Sequence, residues 1–248
     1  YGDGVTQADV EAHYASIVKD EENQPEYGLN TRFVMENGKL KVQTMKVGGL
    51  YTEAIEKIVY WIEKAIPLAE NEQQKLTFQR LVEYYKSGDV REWDNYNLAW
   101  INDTASRTDV VNGFIEVYND PLGKKGSFES VVSFKDMEAT KRIEAVSKEA
   151  QWFEDNSPLR EEHKKPNVTG IIGKVITVVV ESGDASPSTP IGINLPNNGW
   201  VREIGSKSVS LGNIVHAYEM SSKEGKSSLE EFAYSQEEID RSKRYGGI

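Results

Sequence analysis

The sequence predicts an α+β fold, mostly helical with a small antiparallel β-sheet or barrel portion. Three observations carry that prediction. Apolar residues recur at three and four positions between Tyr51 and Trp100. After Arg107, runs rich in β-branched and aromatic residues appear, separated by Gly, Pro and Asn-Asp turn chemistry. Helical composition then returns at 136–156 and over the last fifty residues.

The elements follow in order. Thr6, with Asp9 three positions on and Val10, Tyr14, Ile17 and Val18 at helical spacing, opens a short capped helix ending near Asp20. Leu29 to Met35 and Leu40 to Val47 read as strands around Glu36-Asn-Gly-Lys39, because an Asn-Gly step takes positive φ at little cost. From Tyr51, residues Ile55, Ile58, Val59, Ile62, Ala65, Ile66 and Ala69 form one stripe on a long helix that Pro67 kinks. Leu76, Leu81, Val82 and Tyr85 continue the period to a stop at Gly88, and Trp93, Tyr96, Asn97 and Trp100 mark a third helix.

Val110 to Tyr118 and Phe128 to Phe134 read as two strands. Asp136 to Asn156 is helical in composition, and Lys174 to Glu181, nearly continuous in Val and Ile, reads as a strand buried on both faces. Ile191 to Leu195 is a short strand closed by Pro196. Val209 to Ser221 and Ser227 to Tyr245 read as helices, the second opened by the capping box Ser227-Ser-Leu-Glu230.

Composition excludes several functions. Of 248 residues, 29 are basic and 40 acidic, a net charge of -11, which is the wrong sign for a nucleic-acid surface. No run approaches the roughly 20 apolar residues that cross a bilayer, so no membrane partner is expected. With no cysteine there is no disulfide, thiolate zinc site or cysteine nucleophile. The three histidines, His13, His163 and His216, are isolated, and neither His-Glu-x-x-His nor Gly-x-Ser-x-Gly occurs. Gly123-Lys-Lys-Gly-Ser127 lacks the spacing of a phosphate loop, and Asn102-Asp-Thr and Asn167-Val-Thr are short enough to match the glycosylation sequon by chance. The start at Tyr1, without Met or signal-peptide features, leads us to expect a segment of a longer chain.

The most distinctive stretch is Thr189-Pro-Ile-Gly-Ile-Asn-Leu-Pro-Asn-Asn198. Gly192 lets another backbone approach closely and Pro196 suits a sheet edge, which can accept a peptide as an added strand. Asn194 and Asn197 then offer amide oxygens to a substrate ammonium, and Asp109 or Glu116 can neutralise it. On residues alone the simpler alternative, a plain edge strand and turn, is the stronger.

Three segments together resemble the dipeptidyl peptidase III family of zinc metallopeptidases: Asn112-Gly-Phe-Ile-Glu-Val-Tyr-Asn-Asp-Pro-Leu-Gly123 continuing to Gly126-Ser-Phe-Glu129, then Thr189 to Asn197, then Val209-Ser-Leu-Gly-Asn-Ile214. Their order and spacing also match, over most of Leu29 to Tyr218. The resemblance implies a cytoplasmic exopeptidase that removes dipeptides from the amino terminus of short peptides, built as two lobes about a cleft. By position it implies that the edge Gly192 to Pro196 receives the substrate, that Asn194 and Asn197 hold its amino terminus, and that Asp109 assists. Pro190 would line the groove, with Arg202 and Tyr218 as polar residues near the cleft. Where many members carry a tyrosine two residues before Gly113, this chain has Val111.

The family's zinc motif, His-Glu-x-x-x-His, and its second ligand helix do not occur here and are expected beyond Ile248. Zinc is therefore expected in the full-length parent and not in this chain, which carries no catalytic or metal-binding residue and is expected to be inactive alone. Its expected partners are short peptides and the remainder of the parent chain. The implied partition is 1–128 as barrel-lobe part with the helical hairpin, 129–174 in the helical lobe, 175–220 as barrel-lobe strands with the substrate edge, and 221–248 in the helical lobe. A non-catalytic peptide-binding or protein-interaction module, or a structural helical domain, stays open as an alternative.

Overall fold

The computed structural model describes residues 1–17, 22–168, 171–186, 189–224 and 228–245. Helix α1, Gln7–Ile17, begins where Thr6 and Asp9 bond reciprocally, the Thr6 N–H donating to the Asp9 carboxylate at 3.0 Å and the Asp9 N–H to the Thr6 hydroxyl at 3.3 Å. Its Val10 and Tyr14 pack on Phe33 of the hairpin β1, Thr31–Glu36, and β2, Lys39–Thr44. Asn37 and Gly38, at φ 52° and 72°, form the expected turn. The expected helix end near Asp20 lies outside the described residues.

The long helix expected from Tyr51 is two helices. Helix α2, Thr52–Ala65, passes into a single 3-10 turn, Ile66–Leu68, at Pro67, and α3, Glu72–Ser87, starts afresh. Proline lacks the N–H that would continue the ladder, and Asn71 caps the new start by accepting the Gln74 N–H at 2.9 Å. Gly88, at φ 71°, closes α3 in the left-handed region, and α4 follows at Val90–Asn102.

Strands β3, Thr108–Glu116, and β4, Ser127–Lys135, lead to helices α5, Met137–Ser147, and α6, Ala150–Asp155. Then come β5, Ile171–Gly183, β6, Gly192–Leu195, α7, Gly199–Ile204, β7, Ser206–Leu211, and α8, Gly212–Glu224. Helices α9, Ser228–Phe232, and α10, Gln236–Tyr245, complete the order. The five-stranded sheet runs β3-β4-β5-β7-β6, antiparallel except for the parallel pair β5 and β7. No helix among the described residues is long and apolar enough to cross a membrane.

Three further expectations change. Val209 to Leu211 is strand, not helix: Ser206 to Leu211 alternates buried and half-buried positions with period two, and the helix begins only at Gly212. Ser227 to Tyr245 is not one helix but two short ones, and the capping box at Ser227 lies outside the described residues. The central valines of β5 are not buried on both faces. Ile176 is buried, yet Val179 and Val180 are 54% and 55% exposed, because only the first half of the strand lies beside β7.

The main core joins α2, α3 and α4 to the inner face of the sheet through Tyr84, Tyr85, Trp93, Tyr96 and Trp100 against Phe114, Ile115, Leu195 and Val201. Each aromatic so buried contributes about 1.5–3 kcal/mol. Leu195 of β6 and Val111 of β3 meet the same aromatic surface, so the sheet curls until its two edge strands approach one another. That approach creates the candidate site.

Candidate functional site

The site lies where the ends of β3 and β6 converge. A cavity of about 570 Å³ there is lined by Glu116, Tyr118, Glu129, Asp184, Pro190, Gly192, Asn194, Asn197 and Arg202. Six of the eight residues singled out in the sequence are therefore brought together: Glu116, Pro190, Gly192, Asn194, Asn197 and Arg202. Asp109 and Tyr218 are not among the cavity's lining residues.

Each side chain is placed by its element. In the β3–β4 ladder Phe114 pairs with Phe128 but Glu116 pairs with Ser127, so one extra residue is accommodated between them. Such a bulge bends the strand and re-aims the side chains beyond it. Glu116 accepts a hydrogen bond from the Asn197 amide at 3.2 Å, across 81 residues of sequence. Asn197 follows the cis peptide between Leu195 and Pro196 that ends β6. Asn194 projects on the opposite face from Ile193 and accepts from the Ser208 hydroxyl at 3.3 Å.

The backbone of β6 is equally defined. Strand β7 is its neighbour on one side, with Ile193 opposite Val209 and Leu195 opposite Lys207. The Leu211 N–H donates to the Ile191 carbonyl at 3.0 Å, which fixes the phase of the ladder. Antiparallel residues alternate between bonded and unbonded pairs, so Gly192 and Asn194 turn their N–H and C=O groups toward the free edge. A Cβ built on Gly192 would meet only the Val209 carbonyl oxygen, at 3.4 Å.

The electrostatics are acidic. Burial pushes the Glu129 carboxyl up to about 7, and the nearby charges of Glu116 and Asp184 push it the same way. Carboxyl groups held this close favour a cation placed among them. Glu129 was missed as a site residue, although it closes the Gly126-Ser-Phe-Glu129 motif and its register opposite Gly113 sets it beside β3. Asp184 was missed because it sits in a turn after Gly183, where only the fold brings it near; its carboxylate accepts from Asn119 at 3.0 Å.

Asp109 is engaged elsewhere. The Trp100 indole N–H donates to it at 2.8 Å, and the ammonium groups of Lys207 and Lys174 stand 3.3 and 3.6 Å away. Tyr218 lies on α8 and is 53% exposed. A separate apolar cavity of about 480 Å³, between Tyr51, Ile55 and Ile58 of the α2 region and Phe114 and Phe128, contains none of the asparagines.

Among the described residues, no three imidazole or carboxylate side chains converge on a point that could hold a metal ion. His13 packs against Phe33 with ring centroids 5.1 Å apart, while His163 and His216 have side chains 63% and 72% exposed. No set of side chains among the described residues fits a zinc centre.

Comparison with known proteins gives a consistent picture. The model of peptidase family M49 matches residues 5–240. Dipeptidyl peptidase 3 of Dictyostelium discoideum is 30% identical over 177 residues, which cover 69% of this chain and 24% of that protein. Dipeptidyl peptidase 3 of Rattus norvegicus is 33% identical over 177 residues, covering 67% and 22%. The solved structure of DPP III from Caldithrix abyssi superposes with a TM-score of 0.72 at 26% identity, covering 86% of this chain and 40% of that one. The chain thus spans about a quarter of the length of these curated relatives.

Proposed function

This chain belongs to peptidase family M49, the dipeptidyl peptidase III family, and from that premise we propose that it supplies the peptide-binding edge of an exopeptidase releasing dipeptides from the amino terminus of short peptides. A peptide joins the free edge of β6 through the N–H and C=O groups of Gly192 and Asn194. Such main-chain pairing is indifferent to side-chain identity and suits varied substrates. The amino terminus stops at Asn197, where the amide oxygens of Asn194 and Asn197 accept from the ammonium and Glu116 and Glu129 neutralise it. Extended chain advances about 3.3 Å per residue, so a fixed ammonium sets the bond after the second residue about 7 Å away. That distance is what counts off a dipeptide.

The observation that carries this reading is the bond from Asn197 to Glu116 at the end of a sheet edge with one open side. Asp109 is already compensated by two lysines, so the ammonium role passes to Glu116. Zinc and the glutamate base belong, in this proposal, to the longer cytoplasmic parent, beyond Ile248, and the present chain hydrolyses nothing alone. The lobe divisions at 128, 174 and 220 belong to the same proposal.

The test is kinetic. In the full-length enzyme, N194A/N197A is expected to raise KM for a tetrapeptide with a free amino terminus by about 10-fold or more, two hydrogen bonds to a charged group being lost. The weaker turnover of the N-acetylated tetrapeptide stays unchanged. Equal KM for wild type and variant on the free peptide would overturn the reading.

A further inference from the structure

Asn198, directly after Asn197, is the first residue before α7, yet its side chain makes no capping bond to that helix. An asparagine in this place ordinarily turns its oxygen onto the N–H groups of the first turn. Here the amide nitrogen faces away from α7. It donates to the Asp94 carboxylate of α4 at 3.1 Å and to the Gln24 carbonyl at 3.1 Å. These contacts reach across 104 and 174 residues of sequence, and they are sheltered: Asn198 is 6% exposed and Asp94 2%.

Asp94 is a charged residue on a helix whose other buried positions are mostly Trp, Tyr, Val, Ile and Ala. A carboxylate in such a place is tolerated only where a donor meets it. The Asn198 amide, which belongs to the turn carrying the peptide site, is one such donor, and the Trp200 indole and the Arg91 charge also favour the ionised carboxyl. Asn198 also begins α7 through its main chain, its carbonyl accepting the Arg202 N–H at 3.0 Å. One residue thereby fixes both Asn197, which reaches Glu116, and Arg202, which reaches the cavity.

We propose that Asp94 is a positioning residue for peptide binding: through Asn198 it holds the turn from which Asn197 meets Glu116 and the substrate's amino terminus. The inference rests on the reading of the site given above. Asp94 does not line the cavity and touches no substrate; it acts by denying the turn other conformations. Burial pushes its carboxyl up to about 7, against the pull of the Asn198 amide, which fits a group held in place by the fold rather than by water.

Variants of the full-length enzyme separate this role from general support of the fold. Asp94→Ala removes the acceptor, and about a 5-fold rise in KM for a tetrapeptide with a free amino terminus is expected, with kcat within about twofold. Asp94→Asn keeps an acceptor oxygen at the same place and is expected to restore KM to within about twofold of wild type. The preference for the free over the N-acetylated peptide falls in Asp94→Ala and returns in Asp94→Asn, which a merely structural role would not produce. Should Asp94→Ala fail to fold, Asn198→Ala removes the donor instead and must raise KM in the same way. Unchanged KM in both alanine variants, or equal losses on free and acetylated peptides, would overturn the inference. Asn197→Ala run beside them isolates the parent reading: if it too leaves KM unchanged the site assignment fails, whereas a raised KM in Asn197→Ala alone sinks only the role of Asp94.

Discussion

The Asp109 carboxylate lies 3.3 Å from the Nζ of Lys207, a lysine with no exposed surface whose ammonium also stands 4.1 Å above the Trp100 ring. Sequence reasoning offers Asp109 to a substrate. The fold also places it beside Lys174 and the Trp100 indole, so that one part-buried carboxylate joins β3, β5, β7 and α4.

That arrangement has a stability signature. Burial lowers the Lys207 pKa to about 8, partly opposed by Asp109. Between about pH 8 and the unfolded value of about 10.4 the unfolded chain binds more protons than the native one, so stability rises with pH there. Lys207→Met removes one of the two cations beside Asp109 and the contact over the Trp100 ring, and is expected to cost about 1–3 kcal/mol at pH 7 and to lose that rise. Urea unfolding at pH 7.5, 8.5 and 9.5 checks both, below the range where Tyr84, Tyr85 and Tyr96, whose hydroxyls burial pushes up, begin to oppose it. A K207M variant as stable as wild type contradicts the account.

The acidic cavity predicts how binding depends on pH. Glu129 titrates at about 7, and only its charged form attracts an ammonium. Affinity for a free amino terminus therefore rises through pH 7 and falls again as the peptide amine deprotonates near pH 8. In the full-length enzyme, Glu129→Gln is expected to flatten the acidic limb of 1/KM and leave the basic limb in place. An unaltered acidic limb would remove Glu129 from the site.

Gly113 tests the packing beneath the site. A Cβ added there would lie 2.6 Å from two ring carbons of Trp93, itself wedged against Tyr84 and Tyr96. Gly113→Ala is expected to cost about 1–3 kcal/mol through overpacking, seen as a lowered Tm. No change in Tm would mean that Trp93 moves freely.

What the sequence discloses follows from the range of the interactions. The helices and the Asn-Gly hairpin are legible because caps, periodicity and turn residues act within four or five positions, as at Asn71, Gly88 and Asn37. The peptide-facing edge is legible because Gly192, Pro196 and the asparagines sit in one short run. Strand β7 is hidden because Ser206-Lys-Ser-Val-Ser-Leu211 carries its alternation in serines and in Lys207, a residue that reads as exposed until Asp109 and Trp100 are placed beside it. The partners of Asp109, Glu129 and Asn198 are hidden for the same reason: each comes from another element, and only the curled sheet joins them.

The central claim is that a peptide pairs with the outer edge of β6 while its amino terminus meets Asn197 and Glu116. The direct measurement is amide hydrogen exchange at Gly192 and Asn194 in the full-length enzyme, stripped of zinc so that an added tetrapeptide survives. A tetrapeptide with a free amino terminus is expected to slow exchange at both amides by about 10-fold or more, with much weaker protection by its N-acetylated form. Exchange at Gly192 and Asn194 that is unchanged at saturating free peptide would place the substrate elsewhere and contradict the account.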